Sequence, residues 1–388
     1  MADVVVVGAG IVGAACAEAL TERGMRVVVV DRSAPAAGTT AAGEGNVLVS
    51  DKEPGPELEL AVASRREWPR VLDRLADTLG PDRADVEWDP KGGLVVATTD
   101  PGPLAAFADT QRRAGVDARS LHPDEVLRRE PLLTPRVTAG IYYPEDAQLQ
   151  PVLATTALLA AVRARGGEVR SNIRVTGVRR TGETITAVET DSGPIPCGAV
   201  VNACGPWAGE FAASADAPIT VLPRRGMILV TAPLPQCIKH KVYDADYVGA
   251  VGSGEAELQT STVVESTRAG TVLIGSSRER IGFDETVRLA VLRELAAKAV
   301  ALFPFLGDVP VLRAYGGFRP YAPDHLPIIG EDPRMPGLWH ATGHEGAGIG
   351  LAAATGRLLA ELFSGDRPHL DAKPFRVDRP AVMAEVPA

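Results

Sequence analysis

Val4-Val5-Val6-Val7-Gly8-Ala9-Gly10-Ile11-Val12-Gly13 stands near the start of the chain, and Asp31 closes the segment that follows it. Four β-branched residues in a row suit a strand covered on both faces. Residues 11–23 then carry helix formers (Ala14, Ala15, Ala17, Glu18, Ala19, Leu20), with Gly24 placed to end the helix. Residues 27–30, again all valine, read as a second buried strand. Strand, helix, strand predicts a parallel pair. Gly8 permits the tight turn, Gly10 leaves room for a pyrophosphate, and Gly13 lets the helix lie against the strand. The helix N-terminus offers unpaired N–H groups to phosphates. Asp31 follows Gly13 by 18 residues, at the strand tip where ribose hydroxyls need an acceptor. Together these features predict a dinucleotide site.

The chain has 388 residues, enough for two domains with a substantial core. Its net charge of -9 and lack of a long basic run argue against a nucleic-acid partner. No apolar stretch approaches the roughly 18 to 20 residues of a membrane span, so no integral membrane segment is expected. Residues 4–7 are too short for the core of a signal peptide, which leaves a cytoplasmic address as the expectation. The cysteines are Cys16, Cys197, Cys204 and Cys237, with no C-x-x-C pair. A zinc or iron–sulfur site within this chain is therefore not expected, and these residues read as small hydrophobes.

Farther along, residues 152–165 read as a helix, residues 169–171, 175–180 and 185–190 as short strands, and residues 199–202 as another buried strand. A second long helix is expected over residues 285–303, where Val287, Val291, Leu295 and Ala299 recur every four positions. Residues 338–363 repeat the opening pattern of strand, Gly-rich turn and helix. The segment from Val377 lacks periodicity and is expected to be mobile.

Three segments favour FAD over NAD as the dinucleotide. Gly38-Thr39-Thr40-Ala41-Ala42-Gly43 follows the second strand, where hydroxyls and amides can hold more of a long cofactor. Val200-Val201-Asn202-Ala203-Cys204-Gly205-Pro206-Trp207 is a buried strand ending at glycine. Gly343-His344-Glu345-Gly346-Ala347-Gly348-Ile349-Gly350 opens a late helix, whose amides suit the charge that reduction places on a flavin. Candidate cofactor contacts are thus Gly8, Gly10, Ile11, Val12, Gly13, Asp31 and Arg32 in the first unit. Thr39, Thr40, Gly43, Gly45 and Asn46 follow, with Val175, Ala203, Gly205 and Trp207 in the middle of the chain. Gly317, Gly346, Gly348 and Ile349 complete the set. The expected fold is α/β with two domains: a Rossmann-like FAD-binding domain with a parallel sheet, and an antiparallel-sheet substrate domain. The first comprises residues 1–90, 146–215 and 314–370, the second residues 91–145 and 216–313, and residues 371–388 form a tail.

The order of these segments resembles the D-amino-acid oxidase superfamily of flavoproteins over nearly the whole chain. Leu222-Pro223-Arg224-Arg225-Gly226, Val272-Leu273-Ile274-Gly275-Ser276-Ser277, Gly317-Phe318-Arg319-Pro320 and Pro323-Asp324-His325-Leu326-Pro327-Ile328-Ile329-Gly330 are most similar to the D-hydroxyproline dehydrogenases and opine oxidases within it. That resemblance implies small iron–sulfur partner subunits or another electron acceptor. It also implies that Arg319 binds the substrate carboxylate, and that Tyr243 or Tyr247 belongs to a lid or pocket. A planar guanidinium can grip a carboxylate by two parallel bonds, each worth about 1.5–3 kcal/mol. Gly-Phe-Arg-Pro is expected to place Arg319 in a turn beside the cofactor. Sarcosine oxidases of the superfamily tether flavin through a cysteine aligned with residues 315–323, which this chain lacks, so FAD is expected to be non-covalent. They also carry a lysine where Leu273 stands, which favours a dehydrogenase here over an oxidase.

Hydride transfer from the carbon beside an amine needs orientation and little acid–base machinery. His344 or Glu345 is a candidate to touch the substrate or take its ammonium proton, and His344 equally suits a packing role. An acidic residue at 345 would favour a cationic or secondary amine. Three other readings stay open: a 2-hydroxy-acid dehydrogenase of the same superfamily, a glycine- or sarcosine-type oxidase using oxygen, and a flavin subunit that only relays electrons.

Overall fold

The computed structural model describes residues 1–245 and 255–383. Ala2–Val7 pairs in parallel with Val27–Val30 on one side and Ile195–Asn202 on the other. Leu338–Thr342 and Glu168–Arg170 extend this sheet in parallel, and Ile328–Glu331 closes one edge antiparallel. The valine runs are covered on both faces, as their composition requires, and their alternation assigns each residue a side. Val4, Val6, Val27 and Val29 face a layer of helices. Val5, Val7, Val28 and Val30 face the hairpin of Val175–Thr181 and Thr184–Thr190 and the helix Ala208–Ser214.

In the helical layer, Ile11–Glu22 lies directly against Gly348–Phe363. The approach is backbone to backbone, since a Cβ on Gly356 would collide with the carbonyl of Ala15. Pro56–Leu79, a helix not foreseen from the sequence, locks the second of these from outside. Its Ser64 hydroxyl and Trp68 Nε1 both donate to the carbonyl of Gly350, at 2.6 and 3.1 Å.

The second sheet runs Val311–Tyr321, Leu222–Thr231, Val272–Arg278, Gln259–Ser266, Lys241–Asp244, Gly93–Ala97, Ala139–Tyr143, Arg119–Leu121. It is largely antiparallel, with one exception: Lys241–Asp244 runs parallel to Gly93–Ala97. Leu289–Leu302 packs Val291, Leu295, Ala299 and Leu302 onto one face. This helix begins four residues later than its periodicity predicts, because Arg288 and the residues before it form a loop tied to Glu279 (2.8 Å). No described helix is long and apolar enough to cross a membrane. Cys16 and Cys197 are buried, Cys204 and Cys237 half-buried, and all are free thiols.

Two expectations need correction. Residues 314–321 do not begin the cofactor unit with a turn; they continue the edge strand Val311–Tyr321 of the second sheet, and Arg319 sits on that strand. Gly316, Gly317 and Pro320 look like turn residues, but Pro320 lies opposite Pro223, so neither missing N–H costs a ladder bond. The segment from Val377 is packed through Met383. Val377 and Val382 are buried with Ala208, Ile219 and Ile328, and Thr220 N–H donates to Val382 O at 2.8 Å. Arg379 grips Asp324 at 2.8 and 3.2 Å and also the carbonyls of Leu326 and Pro327. An extended segment held this way shows no helical or strand period. A chain ending at Arg376 should lose roughly 3–5 kcal/mol from the two buried valines alone, seen as a clear fall in the thermal unfolding midpoint.

Candidate active site

The first βαβ unit builds an anion cradle. Gly8 has φ +112°, a conformation that side chains rarely adopt, and a Cβ there would collide with the carbonyl of Ala203. The helix Ile11–Glu22 begins on Gly10 without a side-chain cap of its own. The Thr40 hydroxyl accepts the Ile11 N–H instead, at 3.0 Å. Asp31 takes Ala9 N–H on one oxygen (2.7 Å) and Ser33 N–H on the other (2.8 Å), and each oxygen keeps a second lone pair. Bare backbone, a helix N-terminus and an acidic acceptor fit the diphosphate and ribose of a dinucleotide.

A cavity of about 560 Å³ runs from this cradle to the second sheet. Nearly all the candidate cofactor residues line it. Gly13 and Gly45 stand behind the wall instead: Gly13 abuts the carbonyl of Gly8, and Gly45 that of Leu149. Both are needed for close backbone contact, which a sequence motif does not separate from ligand contact. At the outer end Arg32 lies 4.1 Å over the Trp207 ring, which stacks on Phe283 with centroids 5.2 Å apart. Phe283 had no signal in the sequence. The Thr39 hydroxyl donates to Phe318 O at 2.6 Å, joining the Gly-rich turn to the strand that carries Arg319.

Arg319 reaches the cavity from the second sheet. Its guanidinium lies over Gly226, where any Cβ would collide with it, and Nη1 donates to Ser277 O at 2.9 Å. Glu345 also lines the cavity, but its carboxylate is already engaged: Arg224 donates at 2.5 Å and His325 Nδ1 lies at 3.0 Å. Burial alone would raise its pKa; the His325 bond and the Arg224 charge outweigh this and hold it below the ordinary glutamate value. His344 is buried and bonded to the Thr355 hydroxyl (3.0 Å), and burial lowers its pKa to about 3. It is a neutral ring and a weak base.

Of the tyrosines, Tyr243 is wholly buried among Ser50 and its neighbours, away from the cavity, and burial pushes its hydroxyl well above the usual range. Tyr247 lies outside the described residues. His325 is half-buried and serves Glu345, and His240 is buried against Glu130 at 2.7 Å. Leu273 packs with Ile228, Val230 and Tyr315. Three further residues had gone unread as site residues. Arg224, fully buried, tethers Glu345; Glu44 lines the cavity; and Lys241 reaches Asn46 on the wall.

A family profile described as FAD dependent oxidoreductase, the DAO family, matches residues 3–362. The chain is 29% identical to hydrogen cyanide synthase subunit HcnC of Pseudomonas aeruginosa, over 98% of each chain. It is 30% identical to the glycine oxidase of the same organism, covering 96% of this chain and 97% of that one. The crystal structure of glycine oxidase from Geobacillus kaustophilus superposes with a TM-score of 0.88 at 26% identity, covering 97% and 98% of the two chains. Cradle, two-sheet architecture and a match over nearly the entire length agree: the chain belongs to the DAO family of FAD-dependent oxidoreductases.

Proposed function

We propose that the protein oxidises a small amino acid or secondary amine at the carbon beside its nitrogen, with a substrate of the D-proline or hydroxyproline type. The observation that carries this reading is the Arg319 guanidinium, set over Gly226 on the cavity wall that faces the cofactor cradle. A carboxylate held there by paired bonds would fix the Cα–H bond towards the cofactor. FAD, when bound, supplies the hydride acceptor. The chain's part is to bind the acid group, orient the Cα–H and exclude water.

The two groups of the late Gly-rich turn, His344 and Glu345, are poorly suited to serve an alcohol. Oxidation of a 2-hydroxy acid needs a base for the hydroxyl proton. His344 is a weak base, and Glu345 is held ionised by Arg224 and His325. An amine carries its own lone pair and needs only to be neutral when it reacts. With Glu345 committed in this way, a direct role for it in selecting a cationic substrate is not part of the proposal. His344 is assigned to packing, holding the turn before Gly348–Phe363 through Thr355.

The same reading includes non-covalent FAD, since residues 315–323 contain no cysteine. It includes an electron acceptor other than oxygen, supported by the apolar packing of Leu273. A partner subunit is a candidate for that acceptor, because HcnC is named as a subunit of a larger synthase. A relay subunit with no substrate of its own would have no use for Arg319.

An anaerobic screen tests the assignment. D-Proline or a related amino acid should bleach the flavin of the purified chain, while 2-hydroxy acids should not; bleaching by hydroxy acids alone would reverse the choice. In air, reoxidation should be slow and should quicken with an artificial dye. Acid precipitation should leave all flavin in the supernatant, and a yellow pellet would mean a covalent tether. Arg319→Ala should keep FAD and raise KM about a hundredfold, the loss of roughly 3 kcal/mol of charge-assisted binding. An unchanged KM removes Arg319 from the site.

A further inference from the structure

Glu44 is 8% exposed and lines the cavity. Among the described residues its carboxylate takes a single hydrogen bond, from Asn46 Nδ2 to Oε2 at 3.1 Å, and Oε1 has no partner. The carboxylate lies over Gly275, where any Cβ would collide with Oε1. Behind it, Lys241 bonds Asn46 and pairs with the buried Glu265 at 3.2 Å. That ion pair balances itself, and among the described residues no salt bridge reaches Glu44. A carboxylate taken this far out of water, with one oxygen unpartnered, is costly unless a cation completes it.

The sheet sets this anion beside Arg319. Leu222–Thr231 and Val272–Arg278 are antiparallel neighbours, with Leu229 opposite Ile274. Gly226, under the guanidinium, and Gly275, under the carboxylate, therefore share one face. They lie one strand across and about two residues along, a separation of roughly 8 Å from strand spacing and rise. In an α-amino acid the carboxylate and the nitrogen are attached to the same carbon. Charge-assisted bonds of about 2.8 Å on either side bring their two partners to a similar separation.

We propose that Glu44 is the cation-binding half of the substrate site, taking the protonated nitrogen of an amino acid whose carboxylate lies on Arg319. Two bare glycines on neighbouring strands admit the two charged groups, and the pair selects a zwitterion over a simple carboxylic acid. This rests on the amino-acid reading given above and adds to it the residue that recognises the nitrogen. The preference for a cationic amine thus belongs to Glu44 and not to Glu345.

The test uses the FAD-loaded protein and two probes: D-proline, and cyclopentanecarboxylate, which keeps ring and acid but lacks the cation. Half-saturation of anaerobic bleaching reports D-proline, and perturbation of the flavin absorbance reports the analogue. In Glu44→Gln, D-proline should weaken about tenfold to a hundredfold, the worth of one charge-assisted bond. The analogue should bind unchanged or more tightly, since a repulsive charge has gone. Glu44→Asp, which retains the charge, should fall between wild type and Glu44→Gln, with FAD content and melting point as checks on folding. The proposal is overturned if Glu44→Gln binds D-proline within twofold of wild type, or if both probes weaken alike. It is also overturned if the unliganded flavin spectrum shifts while D-proline binding holds, which would assign Glu44 to the cofactor. A wild type that no amino acid bleaches overturns the functional reading first, and this inference with it. A wild type bleached by D-proline alongside an unaffected Glu44→Gln overturns this inference alone.

Discussion

Arg319 reaches the cavity because the strand Val311–Tyr321 pairs along its length with Leu222–Thr231. The register sets Arg224 opposite Arg319 and Gly226 opposite Gly317. Two arginines directly across a ladder repel one another, and the fold resolves this by giving each a different acceptor. Arg224 takes the carboxylate of Glu345, and Arg319 takes the carbonyl of Ser277. A slip of one residue between the two strands would turn the Arg319 guanidinium to the face opposite Arg224 and Gly226. The register therefore decides which side chains reach the cavity.

Charge is apportioned between structure and site along that face. Glu345 has a positive φ of 46° at the turn before the helix Gly348–Phe363, and its two partners both come from outside the turn. Its carboxylate is best understood as a tie between the cofactor-side helix and the second sheet. His344, beside it, is neutral by burial and spends its hydrogen bond on Thr355. Both residues sit at the cavity, yet neither is equipped to move protons at neutral pH. This is consistent with chemistry in which the cofactor accepts a hydride and the protein contributes position.

At the other end, close backbone contacts do the work that side chains do around Arg319. Gly8 passes against Ala203, Gly13 against Gly8, and Gly356 against Ala15. The first two bring strand, turn and helix close enough for helix amides to face a diphosphate. The third joins the first helix to the last, so residues at both ends of the chain form one wall of the cavity. Relatives at about 30% identity match over the same length.

The valine runs, the glycine spacing and Asp31 determined the first βαβ unit, because local period and backbone freedom act within some thirty residues and leave a mark in composition. The late strand–turn–helix was legible for the same reason, whereas Arg319, which lines the cavity, stood out only through its resemblance to a family motif. Only the tertiary structure decided which charges are free to act. Glu345 looked available until Arg224 and His325 closed on it from far along the chain, and Glu44, unread in the sequence, is set over Gly275 by the fold. Tyr243 and the packed tail were settled in the same way. Pairing, burial and charge compensation between distant residues leave no local period, so they appear only when the chain is folded.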